Sequence, residues 1–180
     1  IILLLIGRIP LFDTLCISFG TAGTGGFGIV NDSMGSYSTY CQVVTTIFMI
    51  LFGVNFSAYY LLLTKKFVQA FKFEEVRYYF GIILAAILVI GLNTAHLFRN
   101  LGEAFQQAAF QVGSIITTTG FSSTDFSQWP SLSKAILVLL MFVGACAGST
   151  GGGIKVSRIL ILCKAAKKEF QLYLHPNAVK

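Results

Sequence analysis

Two short segments carry the residue types that can hold a dehydrated cation: Gly23-Thr24-Gly25-Gly26-Phe27 and Thr117-Thr118-Thr119-Gly120-Phe121. Glycine lets successive carbonyls turn toward one axis because a positive φ costs it little. A threonine hydroxyl offers a further ligand, and rings of backbone carbonyls can replace an ion's water shell. Each segment follows an apolar run too short to cross a bilayer and precedes one long enough, crossing needing ~20 residues. The preceding short helices would aim their negative C-terminal ends at a cation. The competing reading is close helix packing through small residues. Two such loops, each behind the same kind of short helix, favour the filter reading. No Ser-His-Asp or paired-carboxylate arrangement stands out, so the chain is not expected to be an enzyme or to need a cofactor.

The elements that must position these loops follow from the apolar runs. Ile1 to Ile6 is an apolar stub that reads as a fragment starting inside a helix. Leu11 to about Thr21 is a short helix with Asp13 in its first turn, where an acid is favoured. Thr39 to Leu63 reads as a full span, and a charged loop, Phe67 to Arg77, leads to a return span from Tyr78 to about Leu97. Gly102 to about Ile116 is the second short helix, with Glu103 in its first turn, and Ser131 opens the last span. The halves look like a repeat. Setting Gly26 on Gly120 pairs Thr24 with Thr118, Phe27 with Phe121 and Asp13 with Gln107. Phe52-Gly53 meets Val143-Gly144 if three residues are inserted. The fold class expected is an all-α membrane protein of helix–pore loop–helix repeats with re-entrant pore helices. Residues 1–66 would be the end of one repeat, its first helix truncated, and residues 67–180 a second.

The last span holds five glycines in ten residues, Gly144, Gly148, Gly151, Gly152 and Gly153, with Ser149 and Thr150 among them. Each glycine costs a helix about 1 kcal/mol relative to alanine, so a broken helix is expected: Ser131 to Val143, an irregular middle, then Ile154 to about Leu172. Irregular backbone at membrane depth is tolerated where it is buried in protein or lines water. The functional reading is a mobile constriction below the filter. The alternative is static packing, because Gly144 and Gly148 are spaced as in GxxxG. A phosphate-cradling loop is excluded, since Ile154 intervenes before Lys155 and no strand precedes.

Composition agrees. The chain has 180 residues, 11% of them charged, and a mean hydropathy of +0.77, where a soluble domain carries about 25% charged residues. The net charge of +6 is concentrated in two clusters. One is Lys65, Lys66, Lys72 and Arg77; the other is Lys155, Arg158, Lys164, Lys167, Lys168 and Lys180. Such clusters mark cytoplasmic ends of spans, so they are read as topology signals and not as a nucleic-acid surface. The lipid bilayer is the expected surrounding. Cys16, Cys41, Cys146 and Cys163 have no metal-ligand spacing and read as small apolar fillers.

The motifs Thr117-Thr-Thr-Gly-Phe121, Asp125-Phe126-Ser127-x-Trp129-Pro130 and Ala147-Gly-Ser-Thr-Gly-Gly-Gly-Ile-Lys155 closely resemble the Trk/Ktr family of potassium transporters. Gly25-Gly26-Phe27 with Asp32-Ser33-Met34-Gly35 resembles that family's second filter region, and the similarity runs to His175-Pro176-Asn177-Ala178-Val179. The resemblance implies four repeats around one pore, of which this chain would carry the end of the second and most or all of the third. It implies potassium held at carbonyls of residues 24–27 and 117–121, with Gly26 and Gly120 as filter glycines and Gly25 as an alternative in the first loop. It implies a gate at residues 144–153, a bacterial inner-membrane location, a homodimer, and a cytoplasmic nucleotide-binding TrkA-type regulatory subunit. Two alternatives stand beside potassium uptake: a sodium-preferring or non-selective member of the same family, and a non-conducting scaffold or truncated remnant.

Overall fold

The structure, a computed structural model, describes residues 1–66 and 73–174, the side chains of Leu172 and Leu174 excepted. Lys72, Lys180, His175 and the 175–179 motif lie outside the described residues. Among those described, the chain is helical with no strand, and matched backbone segments occur only as an isolated bridge between Val143 and Ile154. The helices are α1 (Ile2–Ile6), α2 (Leu11–Ala22), α3 (Thr39–Phe52), α4 (Phe56–Leu63), α5 (Glu74–Thr94), α6 (Leu101–Ile116), α7 (Ser131–Phe142) and α8 (Val156–Leu174). Short 3-10 turns at Ala95–Leu97 and Phe126–Gln128 complete the set.

Helix α6 is the hub. It packs on α3, α5 and α7, and Ala104, Ala108, Phe110, Val112 and Ile116 are buried along it. Its polar residues point inward as well. Gln106 and Gln107 donate to the side-chain oxygen of Gln42 on α3, at 3.0 and 3.2 Å. Gln42 in turn donates to Met34 O and Tyr37 O. Buried amides are costly unless paired, so this chain of bonds fixes α6 against α3 in one register. The outer faces are apolar: Leu84, Leu88, Leu92, Leu132, Leu139 and Phe142 are all exposed. That is the pattern of a protein whose solvent on that side is hydrocarbon.

Among the described residues, one helix is long and apolar enough to cross a membrane, Glu74–Leu97, with a mean hydropathy of 2.1. The stretch expected as a single span from Thr39 to Leu63 is instead two helices, α3 and α4, bent by 92° at Gly53-Val54-Asn55. The cause is local. Asn55 caps α4 by accepting from Ser57 N at 2.8 Å, and an Asn cap favours starting a new helix over continuing an old one. Gly53 sits where a Cβ would lie 2.2 Å from the Tyr79 hydroxyl. Every carbonyl freed at the end of α3 finds a donor. Ile50 O takes the Tyr79 hydroxyl at 3.0 Å, Leu51 O the Tyr59 hydroxyl at 2.6 Å, Phe52 O the Thr150 hydroxyl at 3.5 Å, and Gly53 O the Cys146 amide at 3.0 Å. A helix that ends away from water requires such an accounting.

Candidate cation site: two matched loops and a glycine-rich plug

The two loops have the same backbone. Gly23 N donates to Phe19 O, and Thr117 N to Gly113 O. Thr24 N donates to Thr21 O, and Thr118 N to Ile115 O. Gly25 N donates to Gly20 O at 2.7 Å, and Thr119 N to Ser114 O at 2.9 Å. The last two pairs in each loop form a Schellman motif, whose C′ residue is left-handed. That residue is ordinarily glycine; here it is threonine twice, with φ of +52° at Thr24 and +56° at Thr118. A left-handed, β-branched residue costs roughly 1–2 kcal/mol, and such outliers cluster at functional sites. Gly26 and Gly120 then return to positive φ, +65° and +91°, while Gly25 and Thr119 do not. Each loop therefore alternates in hand, positive, negative, positive, with Gly26 and not Gly25 standing where Gly120 stands.

This alternation leaves the carbonyls free. Among the described residues, no donor of the chain reaches the backbone oxygens of Thr24, Gly25, Gly26, Thr117, Thr118, Thr119 or Gly120. The loops also touch. A Cβ on Gly26 would fall 1.8 Å from Thr119 O, so only glycine lets the first loop lie against the second. Gly120 faces open space on the same test.

The segments leaving the loops are clamped by α6 and by each other. Ser114 Oγ donates to Phe121 O at 2.5 Å, Gln111 Nε2 to Thr124 O, and the Ser123 hydroxyl to Gln107 Oε1. Met34 N donates to Ser122 O at 2.8 Å, and Ser122 N to the Ser33 hydroxyl. Asp13 stands in α2 where Gln107 stands in α6. It accepts from the Tyr37 hydroxyl at 3.0 Å, and burial together with this carboxylate pushes the Tyr37 phenol up to about 12. At the outer turn, Asp125 accepts from Ser127 N at 2.9 Å and from Gln128. Its hydrogen bonds to Ser127, and then to Gln128, hold its carboxyl below the usual range. The two phenylalanines part company: Phe121 is buried, within 3.3 Å of a Cβ placed on Gly20 of α2, whereas Phe27 is 83% exposed.

Residues 143–155 form a closed irregular loop between α7 and α8. Its neck is held by Gly144 N to Ile154 O at 2.8 Å, Ile154 N to Phe142 O and Val156 N to Ala145 O. A Cβ on Gly144 would lie 2.1 Å from Gly152 O, so the neck closes only on glycine. Gly148 and Gly153 have positive φ, and the Lys155 ammonium donates to Gly151 O. The loop lies directly against both left-handed threonines. Gly152 N donates to the Thr118 hydroxyl at 2.6 Å, and the Thr24 hydroxyl donates toward Thr150 O at 3.0 Å, sharing its proton with Gly23 O. The loop also docks on the α3–α4 break, through Cys146 N to Gly53 O and Phe56 N to Gly148 O at 3.1 Å. Of the filter and gate residues singled out in sequence, 24–26, 117–120 and 144–153 are thus brought together; Phe121 turns into the core with its carbonyl held by Ser114, and Phe27 is exposed.

Three participants, Gly53, Asn55 and Glu75, were not read from the sequence as part of the site. Gly53 and Asn55 were legible as a glycine and a capping residue inside an apolar run. Glu75 gave no signal of its own, yet its Oε1 accepts from Ala147 N at 2.6 Å and Ser157 N at 3.2 Å.

Among the described residues the fold is all-helical, with the apolar outer faces a membrane protein turns to lipid. The chain belongs to the TrkH cation transport protein family, whose pattern it matches over residues 4–180. It is 35% identical to the Trk system potassium uptake protein TrkH of Vibrio parahaemolyticus over 181 residues, covering 97% of this chain and 37% of that protein. It is 34% identical to TrkH and 33% identical to TrkG of Escherichia coli, covering 93% and 94% of this chain. Its fold superimposes on the crystal structure of the potassium transporter TrkH from Vibrio parahaemolyticus with a TM-score of 0.92, at 34% identity, over 99% of this chain and 40% of that one. The chain spans a little over a third of the length of these relatives.

Proposed function

We propose that this chain forms part of a potassium uptake protein in the bacterial inner membrane, supplying two of its filter loops and its gate. Carbonyls of residues 24–27 and 117–120 would bind dehydrated potassium, whereas the Phe121 carbonyl, expected among them, is already taken by the Ser114 hydroxyl. The loop at 144–153 would close the path beneath them. The observation that carries the reading is the duplicated loop, alternating in hand with its carbonyls free, because backbone oxygens without donors are what a bare cation requires. The exposed Phe27 adds support: its counterpart Phe121 packs against α2, and Phe27 would by analogy meet a further repeat. The units would divide at 1–66 and 67–180. The broken helix α7–α8 and the bent pair α3–α4 would together make one span each, meeting below the loops. Homodimerisation and a TrkA-type cytoplasmic regulator, with the basic inner segments facing it, belong to the same proposal.

The test uses the complete gene product in a potassium-uptake-deficient strain and in proteoliposomes. Gly120→Ser forces a side chain onto a φ of +91° in otherwise open space, so it should abolish growth at low potassium while the protein still folds. Deleting Gly148 to Gly152 should raise rubidium leak. Undiminished uptake by Gly120→Ser would remove the filter assignment, and unaltered leak on deletion would leave the loop a packing element. Competition between sodium and potassium decides whether the carbonyls prefer the larger ion.

A further inference from the structure

A single carboxylate bridges the glycine-rich loop and the first turn of α8. Glu75 lies in the first turn of α5, half-buried, and its Oε1 receives two backbone amides. One is Ala147 N, on the limb of the loop that leaves α7. The other is Ser157 N, in the first turn of α8, where helix amides lack partners within the helix. An acid at that position is favoured by the helix dipole, and hydrogen bonds to an ionised acceptor are about twice as strong as neutral ones. The neighbouring Glu74 pairs with Lys164 further along α8, but both partners are solvent-exposed. Exposed pairs contribute little, so the strong attachment is at Glu75.

We propose that Glu75 is a positioning residue that fastens the loop to the first turn of α8, so that the loop can leave its closed position only when α8 shifts relative to α5. The inference rests on the reading of residues 144–153 as a gate, and it adds the part that moves it. Both amides use the same oxygen. Displacing α8 along its axis pulls Ser157 N from Oε1, or else carries the carboxylate away from Ala147 N. Either way the tie between the loop and α8 is cut, leaving Gly152 N on Thr118 and Cys146 N on Gly53 as remaining holds. A motion imposed on the cytoplasmic end of α8 would in this way reach the cation path.

The experiment compares Glu75→Ala, Glu75→Gln and Glu74→Ala in the complete protein, reading amide hydrogen exchange in segments containing Ala147 and Ser157 and rubidium flux in proteoliposomes. Glu75→Ala should speed exchange at both amides by about tenfold or more and raise flux several-fold. Glu75→Gln keeps an oxygen acceptor without the charge, so it should restore most of the protection at both sites together. Glu74→Ala should change neither. Exchange that is unchanged in Glu75→Ala, or that rises at one amide alone, would overturn the fastening. If the alanine variant does not fold, equal partial loss of protection at both amides in Glu75→Gln supports the proposal, and loss at one only refutes it. Faster exchange at both sites with unaltered flux would keep the fastening and remove the gate reading beneath it.

Discussion

Replacing Thr118 by valine removes one hydroxyl and keeps the shape and the β-branching, so the left-handed strain stays nearly constant. What is lost is the 2.6 Å bond from Gly152 N. A hydrogen bond of this kind contributes a net ~1 kcal/mol, which is about a fivefold change in the equilibrium between docked and released loop. Thr24 should matter less. Its proton is shared between Thr150 O at 3.0 Å and Gly23 O at 2.8 Å, so Thr24→Val should cost ~0.5 kcal/mol, about twofold, at the low end of the same range. The two hydroxyls hold different residues of the loop. If they act independently the double variant should release it about tenfold more often, by simple addition. The assay is amide exchange in the segment containing residues 150–153 of the complete protein, where the rate follows the fraction released. Thr118→Ser keeps the hydroxyl and should exchange like the parent. A serine variant as fast as the valine one, or a double variant no faster than Thr118→Val, would refute the latch and leave these bonds incidental.

Two further outcomes follow from the geometry. Gly53→Ala places a methyl 2.2 Å from the Tyr79 hydroxyl and 2.9 Å from Thr117. It should destabilise the protein by ~1–3 kcal/mol, as overpacking does, read as a lower midpoint in a thermal scan, with Gly81→Ala, which meets nothing within 4 Å, as the neutral control. For Asp125, the folded carboxyl is held below its ordinary range by Ser127 and Gln128. Its contribution is therefore present above that range and lost as pH falls through the folded value, and Asp125→Asn should flatten the acid limb of the stability profile in that region.

Much of the molecule was legible in advance for a simple reason: glycine, threonine and hydropathy report on backbone hand and on solvent. The short helices, the pairing of Gly26 with Gly120 and the interruption after Phe142 were each visible in residue type. Thr24 and Thr118 were read as extra ligands, and the structure turns their hydroxyls toward residues 150–152 instead. That could not be read from the chain, because a hydroxyl's partner 126 positions away leaves no local pattern. The bend at Gly53 was missed because hydropathy averages over a break, although Asn55 is a recognised helix-start residue. Glu75 was invisible because the sequence places it in a charged loop, 67–77, where an acid needs no particular partner, whereas the helix in fact begins at Glu74.

The bend between α3 and α4 also dictates an order of events during synthesis. In an unbroken helix Phe56 N would donate to Phe52 O and Ser57 N to Gly53 O. In the finished protein Thr150 and Cys146 supply the donors to those two carbonyls, Gly148 supplies the acceptor for Phe56, and Asn55 takes Ser57 N. Residues 146–150 leave the ribosome on the order of ten seconds after Gly53, at ~5–20 residues per second. Until then a bent segment would expose unpaired peptide groups to lipid at several kcal/mol each. If the bend sits at membrane depth, the stretch from Thr39 to Leu63 is expected to enter the bilayer as one straight helix and to break when the second half arrives to take over its hydrogen bonds.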